Sequence, residues 1–98
     1  MRIGQIALIR TATAADPVRD REDNAACACA MQNIQLGAWG HGLASYWTTS
    51  GAIVGKNLDM FWGVQPSDEM VGAIILGVAA ADAKAVRYKQ PEDVTTWL

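Results

Sequence analysis

The sequence predicts one α+β domain over residues 1–98, with a three-stranded sheet, a long Ala-rich helix, a short helix and an extended C-terminal arm. Short apolar runs rich in β-branched residues alternate with segments whose apolar residues recur every three or four positions. The final segment, residues 79–98, shows little periodicity, which predicts the arm. Alternation alone favours a parallel sheet, but the short middle helix leaves the strand directions open.

The composition limits the classes of function. The chain has 98 residues, 51% hydrophobic and 18% charged, with a net charge of -2 and no basic run, which argues against nucleic-acid binding. A chain of this size buries only about 60–65% of its unfolded surface. This apolar fraction therefore predicts leftover apolar surface and a homo-oligomer. The longest apolar run, residues 70–81, is too short for a bilayer, and the N-terminus lacks a signal-peptide pattern, so we expect a cytoplasmic protein without membrane attachment.

The first half of the chain predicts a strand, a loop and the long helix. Residues 3–11 (IGQIALIRT) predict a strand, and residues 11–20, with their Thr, Asp and Pro content, predict a loop. Helical spacing then predicts a helix from Asp23 to Trp39, capped by Asp23 or Asn24 and ended by residues 40–42. Ala, Cys and Gly line one face of this helix, so that another helix backbone can approach closely.

The two cysteines, Cys27 and Cys29, lie on this predicted helix. Side chains two positions apart on a helix point about 200° away from each other. This spacing suits neither a shared metal ion nor an unstrained disulfide. It favours small buried apolar residues over a metal or redox pair.

The second half of the chain predicts two strands, a short helix and the arm. Residues 43–48 predict a strand, and residues 52–61 a helix that Thr49 or Ser50 caps and that stops at Gly63. After a turn at residues 64–69, the continuous apolar run 70–78 predicts a strand in the middle of the sheet. Residues 79–98 predict an arm that lies on another surface.

An ordered set of short motifs runs through the chain: Gln32-Asn33, Gly42-Leu43, Trp47, Leu76-Gly77 and Arg87-x-Lys89-x-Pro91-Glu92-Asp93-Val94. In this order and at this spacing, the motifs resemble the C-terminal half of the FMN-dependent nitroreductase family. The resemblance implies a nitroreductase-like half-domain. The N-terminal half of that family, with its Arg-x-Ser-x-Arg-like motif for the flavin phosphate, has no counterpart in this sequence.

The resemblance also implies a cofactor, FMN, at a homodimer interface formed by the helix Asp23 to Trp39 and the arm. Family members place a strand tip beneath the isoalloxazine ring, and here the strand tip consists of Trp47, Thr48, Thr49 and Ser50. Backbone N–H groups and hydroxyls at such a tip stabilise the charge that reduced flavin gathers. No side chain is needed as a nucleophile or general base, so no catalytic residue is predicted.

Two further segments have both a functional and a structural interpretation. Arg87 and Lys89 correspond to basic residues that reach the FMN phosphate in similar proteins, and the alternative is a pair of solvated charges. Residues 37–42 (GAWGHG) correspond to a region near the nicotinamide of NAD(P)H, and the alternative is an ordinary helix C-terminus.

The sequence leaves three functions open. The first is an FMN-dependent NAD(P)H:acceptor oxidoreductase of nitroreductase type, which reduces a nitro or quinone-like acceptor. The second is a truncated, non-catalytic half-domain that acts as an oligomeric assembly or small-ligand-binding module. The absent phosphate motif favours the second, because each charge-assisted hydrogen bond contributes roughly 1.5–3 kcal/mol. A separate polypeptide that supplies the missing half is a third possibility.

Overall fold

The computed structural model describes residues 2–11, 15–51 and 59–98. Its elements are β1 (Arg2–Arg10), α1 (Pro17–Gly40), β2 (Ala44–Thr48), α2 (Asp59–Trp62) and β3 (Glu69–Gly77). A single 3-10 turn, Pro91–Val94, lies in the arm. The predicted α+β class, with a three-stranded sheet and a long helix, is confirmed. In the described part of the chain, no helix has the length and apolar character needed to cross a membrane.

The sheet has the order β1-β3-β2, and its central strand, β3, is antiparallel to both neighbours. The predicted central position of the apolar run 70–78 is thereby confirmed. β1 and β2 run parallel to each other, and α1 connects them across β3. The sequence left the strand directions open. In the structure every hydrogen-bonded pair of described strands is antiparallel, and the two parallel strands, β1 and β2, are not neighbours.

The largest buried side chains lie between α1 and one face of the sheet. Met31 of α1 and Ile74 of β3 are fully buried, each 0% exposed. Ile74 pairs with Trp47 of β2 and with Ile6 of β1, so these three side chains share the face of the sheet that α1 covers. A small set of side chains therefore holds the helix to the sheet.

The helix α1 begins at Pro17, six positions before the predicted start at Asp23. Asp16 is its N-cap, and the Asp16 carboxylate accepts a hydrogen bond of 2.9 Å from the backbone N–H of Val18. The predicted caps, Asp23 and Asn24, are wrong, and so is the predicted loop at residues 17–20, which are helical. Residues 12–14 of that loop lie outside the described residues. Proline at the first helical position is favourable because its missing N–H would have no partner there.

The C-terminus of α1 lies where the sequence predicts it. The backbone N–H of Leu43 donates to the carbonyl of Ala38 at 2.9 Å, and that of Gly42 donates to the carbonyl of Trp39 at 2.9 Å. This pair of hydrogen bonds is the Schellman motif. It requires a left-handed residue, and Gly42 adopts φ of 76° without the steric cost that a side chain adds.

The cysteines of α1 differ in exposure. Cys27 is half-buried, whereas Cys29 is exposed, and both are free thiols. The prediction of two buried cysteines is therefore wrong for Cys29. Since the side chains at positions 27 and 29 point away from each other, a helix that packs on the sheet through one side cannot bury both.

The connection from β2 to β3 is described from residue 59 onward. Residues 52–58 of the predicted helix 52–61 lie outside the described residues, so its capping by Thr49 or Ser50 stays a prediction. The helical segment α2 stops before Gly63, as predicted, and Gly63 has φ of 73°. A turn follows, in which the backbone N–H of Asp68 donates to the carbonyl of Gln65 at 2.9 Å.

The chain is more open than a compact domain of its length. Its radius of gyration is 16.4 Å, whereas about 13 Å is typical for 100 residues. Its accessible surface is 7734 Å², roughly 2300 Å² more than a folded monomer of the same mass exposes. The arm contributes to this excess, because every residue from 78 to 98 is exposed. The prediction that the arm lies on another surface stays a prediction.

Candidate functional site

The strand tip lies at the C-terminal end of β2. Thr48, the last residue of the strand, is 7% exposed and pairs with Ala73 of β3. Its hydroxyl oxygen accepts a hydrogen bond of 3.0 Å from the backbone N–H of Ser50, which turns the chain immediately after the strand. Thr49 and Ser50 are exposed. The tip therefore joins a buried anchor to two exposed hydroxyl residues.

Trp47 lies on the opposite face of β2 from Thr48, because successive strand residues alternate between faces. It is half-buried and packs over Gly72 of β3. A Cβ atom at position 72 would overlap the indole Nε1 and lie 3.0 Å from Cδ1 of the same ring. The same Cβ would lie 3.3 Å from Cε of Met31, so the helix closes over this contact.

The predicted cofactor-binding residues fall into two groups. Trp47, Thr48, Thr49 and Ser50 come together as one strand end, whereas Arg87 and Lys89 belong to the arm and are exposed. Within the described part of the chain, neither arm cation forms a salt bridge. No structural contact tests whether either group binds a flavin, so both assignments stay predictions.

An apolar depression of about 280 Å³ lies at the other end of β2. Its lining comes from the start of β2 and the end of β3: Ala44, Ser45, Tyr46, Ile75, Leu76, Gly77 and Val78. Tyr46 is 65% exposed there. On the helix-facing side, the Gln35 amide donates a hydrogen bond of 3.4 Å to the Ser45 hydroxyl, which ties the last turns of α1 to this end of the strand.

An ionic cluster of the buried Arg10 with the partly exposed Asp20 and Glu69 was not predicted from the sequence. Arg10 ends β1 and is 8% exposed, and its guanidinium contacts the Asp20 carboxylate at 2.7 Å, the Asp20 carbonyl at 3.0 Å and the Glu69 carboxylate. The hydrogen bond to Glu69 is the main cause that raises the pKa of Arg10 above its ordinary value; burial opposes it and Asp20 supports it. The cluster ties the end of β1 to the first turn of α1 and the start of β3.

A sequence signal for this cluster existed only in part. Arg10 directly follows an apolar run, and an arginine that is buried there needs a charged partner. Its partners lie 10 and 59 positions away in the chain, so only the packed fold identifies them.

Comparison with known proteins agrees with this fold. The model of the Nitroreductase family matches residues 2–78. Among solved structures, the chain is similar to the crystal structure of a nitroreductase-like family protein from Bacillus cereus, with a TM-score of 0.79 and 22% sequence identity. The match covers 96% of this chain and 50% of that one, so this chain spans half the length of the Bacillus protein. No curated protein matches the sequence.

Proposed function

Because the chain belongs to the nitroreductase family, we propose that it is an NAD(P)H:acceptor oxidoreductase that binds FMN at a homodimer interface. The observation that carries the proposal is the strand tip. Thr48 is buried at the strand end and accepts the Ser50 N–H, which leaves Thr49 exposed at the tip. Hydroxyls and backbone N–H groups held in this way suit the polar edge of a flavin ring.

The residues present fit FMN in two places. The tip offers hydroxyl groups to the ring, and the arm offers the cations Arg87 and Lys89, which form no salt bridge within the described residues, to the phosphate. Arg87 and Lys89 stand two positions apart on the exposed arm, with bends at Tyr88 and Lys89. When bound, FMN supplies the hydride chemistry. The chain's own residues bind and orient the ring and phosphate, and no side chain of the tip is needed as a nucleophile or general base.

The proposed dimer is supported by the surface of the single chain. The excess surface of roughly 2300 Å², buried on both partners, amounts to about 4600 Å², which lies in the range of obligate interfaces. The outward face of α1 carries Leu36, 60% exposed, and Trp39, 72% exposed. Gly37, next to Leu36 in the chain, is also exposed, and a Cβ there would meet nothing within 4 Å, so a second backbone can approach the helix at this point.

The proposed NAD(P)H region is the end of α1. Residues 40–42 are exposed and lead through Leu43 directly into β2, whose far end is the strand tip. A nicotinamide beside this helix end is part of the proposal. The cytoplasmic location expected from the sequence also stays a prediction.

Binding of FMN to the whole chain tests the proposal. Two lysines of the arm provide a variant, at Lys89, and its matched control, at Lys84. We expect FMN to bind with quenching of its fluorescence and a rise in melting temperature. Lys89→Ala should weaken FMN binding about tenfold or more, because a charge-assisted hydrogen bond to the phosphate is lost. Lys84→Ala removes another exposed arm lysine and should leave the dissociation constant unchanged.

Riboflavin has the flavin ring but lacks the phosphate, so its binding tests the tip separately from the cations of the arm. Its affinity should be the same for the wild type and for Lys89→Ala. If neither FMN nor riboflavin binds, the enzyme proposal is wrong for this chain. The exposed apolar surface then favours the alternative, a non-catalytic module for oligomeric assembly or small-ligand binding.

A further inference from the structure

We propose that Gly72 is a positioning residue for the strand tip. By lacking a side chain, Gly72 lets the Trp47 indole lie against β3, and this contact fixes the direction in which β2 presents residues 48–50. The consequence for FMN affinity rests on the function proposed above. The positioning itself is a property of the apoprotein.

The space over Gly72 is filled by the indole. A Cβ at this position would overlap Nε1 of Trp47 and lie 3.3 Å from Cε of Met31. Met31 is 0% exposed and covers this contact from the helix side. Any side chain at position 72 must displace the indole, because its Cβ would overlap Nε1.

Positive φ does not explain the glycine at position 72, which pairs with Leu8 where the register against β1 shifts. Positive φ among the described glycines occurs at Gly42 and Gly63, not at Gly72. Glycine in the interior of a strand weakens it, because the chain loses more entropy and has no side chain to pack. Gly72 lies in the central strand of the sheet, so what it provides in return is room for Trp47.

The end of β2 is held on both of its faces. Trp47 is held on the α1 side by Gly72 and Met31, and its neighbour Thr48 is 7% exposed on the other side. The Thr48 hydroxyl accepts the N–H of Ser50, so a rotation of the strand end moves the turn with it. A displaced indole therefore displaces the exposed hydroxyls.

The contrast with Gly4 supplies the control. Gly4 lies in β1 of the same sheet, and a Cβ there has nothing within 4 Å. Gly4→Ala and Gly72→Ala make the same chemical change in neighbouring strands. They differ in that the new methyl group overlaps the Trp47 indole at position 72 and contacts nothing at position 4.

The experiment records the indole Nε1–H and backbone amide resonances of the ¹⁵N-labelled chain, with the Trp47 signal assigned by its loss in Trp47→Phe. In Gly72→Ala, we expect the Trp47 indole signal and the amides of residues 48–50 to shift, while Gly4→Ala moves neither set. FMN should bind Gly72→Ala about tenfold more weakly than the wild type, because a small misplacement of binding groups is costly. Unmoved signals, an equal shift in Gly4→Ala, or an unchanged FMN affinity despite shifted amides would overturn the proposal.

The double variant Trp47→Phe/Gly72→Ala covers the case in which Gly72→Ala does not fold. Phenylalanine lacks the Nε1 atom that the new methyl group strikes, so the double variant should fold and its tip amides should match those of Trp47→Phe alone. If the double variant is as disrupted as Gly72→Ala, the cause lies outside Trp47 and the proposal is wrong. If the wild type binds no FMN, the proposed function fails, and the tip amides alone decide the positioning role.

Discussion

Residues 2–77 and the arm, residues 79–98, differ in how much of them is buried. The first region, which we call the body, builds a core around side chains that are 0% exposed: Met31, Ala73 and Ile74. The second, the arm, has Tyr88 at 92% and Trp97 at 89% exposure, and every other residue of the arm is exposed as well. The family match ends at residue 78, at the boundary between them. Packing within one chain therefore explains how the body buries its apolar residues. It does not explain why the arm carries exposed apolar residues.

The largest expected effect is the loss of the helix side chain in the core. Met31→Ala should lower the free energy of unfolding by about 2–5 kcal/mol, because it leaves a cavity between α1 and the sheet. Met60→Ala, at a methionine that is 93% exposed, should change it by less than about 0.5 kcal/mol. Urea denaturation followed by circular dichroism measures both. Similar losses from the two variants would mean that α1 does not pack on the sheet through Met31.

The next effect concerns the ionic cluster at the edge of the body. Arg10→Met should lower the melting temperature clearly, because Asp20 and Glu69 lose their common partner. The loss should be smaller than for Met31→Ala, since both carboxylates are partly exposed and regain water. The matched control is Arg19→Met, which breaks the exposed pair of Arg19 with Asp23 and should have little effect.

The same cluster gives an expectation about pH. The pKa of Arg10 is raised in the folded chain, so its contribution to stability is complete below the ordinary arginine range and is lost only as the pH rises above that range. The difference in melting temperature between the wild type and Arg10→Met should therefore be equal at pH 6 and pH 9. A difference that vanishes at pH 9 would contradict the assignment of Arg10 as the charged partner.

The smallest effect on the body is expected from the arm. Trp97→Ser should leave the packing of β1, β2, β3 and α1 unchanged, because Trp97 is 89% exposed in the single chain. It should instead weaken self-association in sedimentation experiments and lower the melting temperature only through mass action. Lys84→Ser, in the same arm, should change neither. Equal association of the wild type and Trp97→Ser would place the arm outside any interface between copies.

Local signals in the sequence predicted where helices and strands end better than which distant residues they contact. The stop of α1 at Gly42 and of α2 before Gly63 followed from glycine alone, because left-handed residues end helices. Asp16 and Pro17 also signal the start of α1, because aspartate is a good N-cap and proline is favoured at the first helical position. The predicted start came later because proline is equally common in loops. The central place of β3 followed from its continuous apolar run.

Contacts between distant segments were beyond the sequence. The packing of Trp47 on Gly72 depends on the register of β2 against β3, which fixes which residues share a face. The partners of Arg10 depend on the meeting of β1, α1 and β3 at one edge. For the candidate site, the sequence and the family resemblance identified the tip Trp47 to Ser50, whereas the buried supports of that tip required the fold.

The order of the sheet has a consequence for how the protein is made. Of the three described strands, β3 is synthesised last, and both others pair with it, since Arg2 pairs with Gly77 and Ala44 also pairs with Gly77. Until β3 emerges, neither β1 nor β2 has its partner from the described part of the sheet. Such long-range pairing is slow, and the nascent chain meanwhile presents bare strands to other molecules. Production of this protein should therefore depend strongly on chaperone supply during translation.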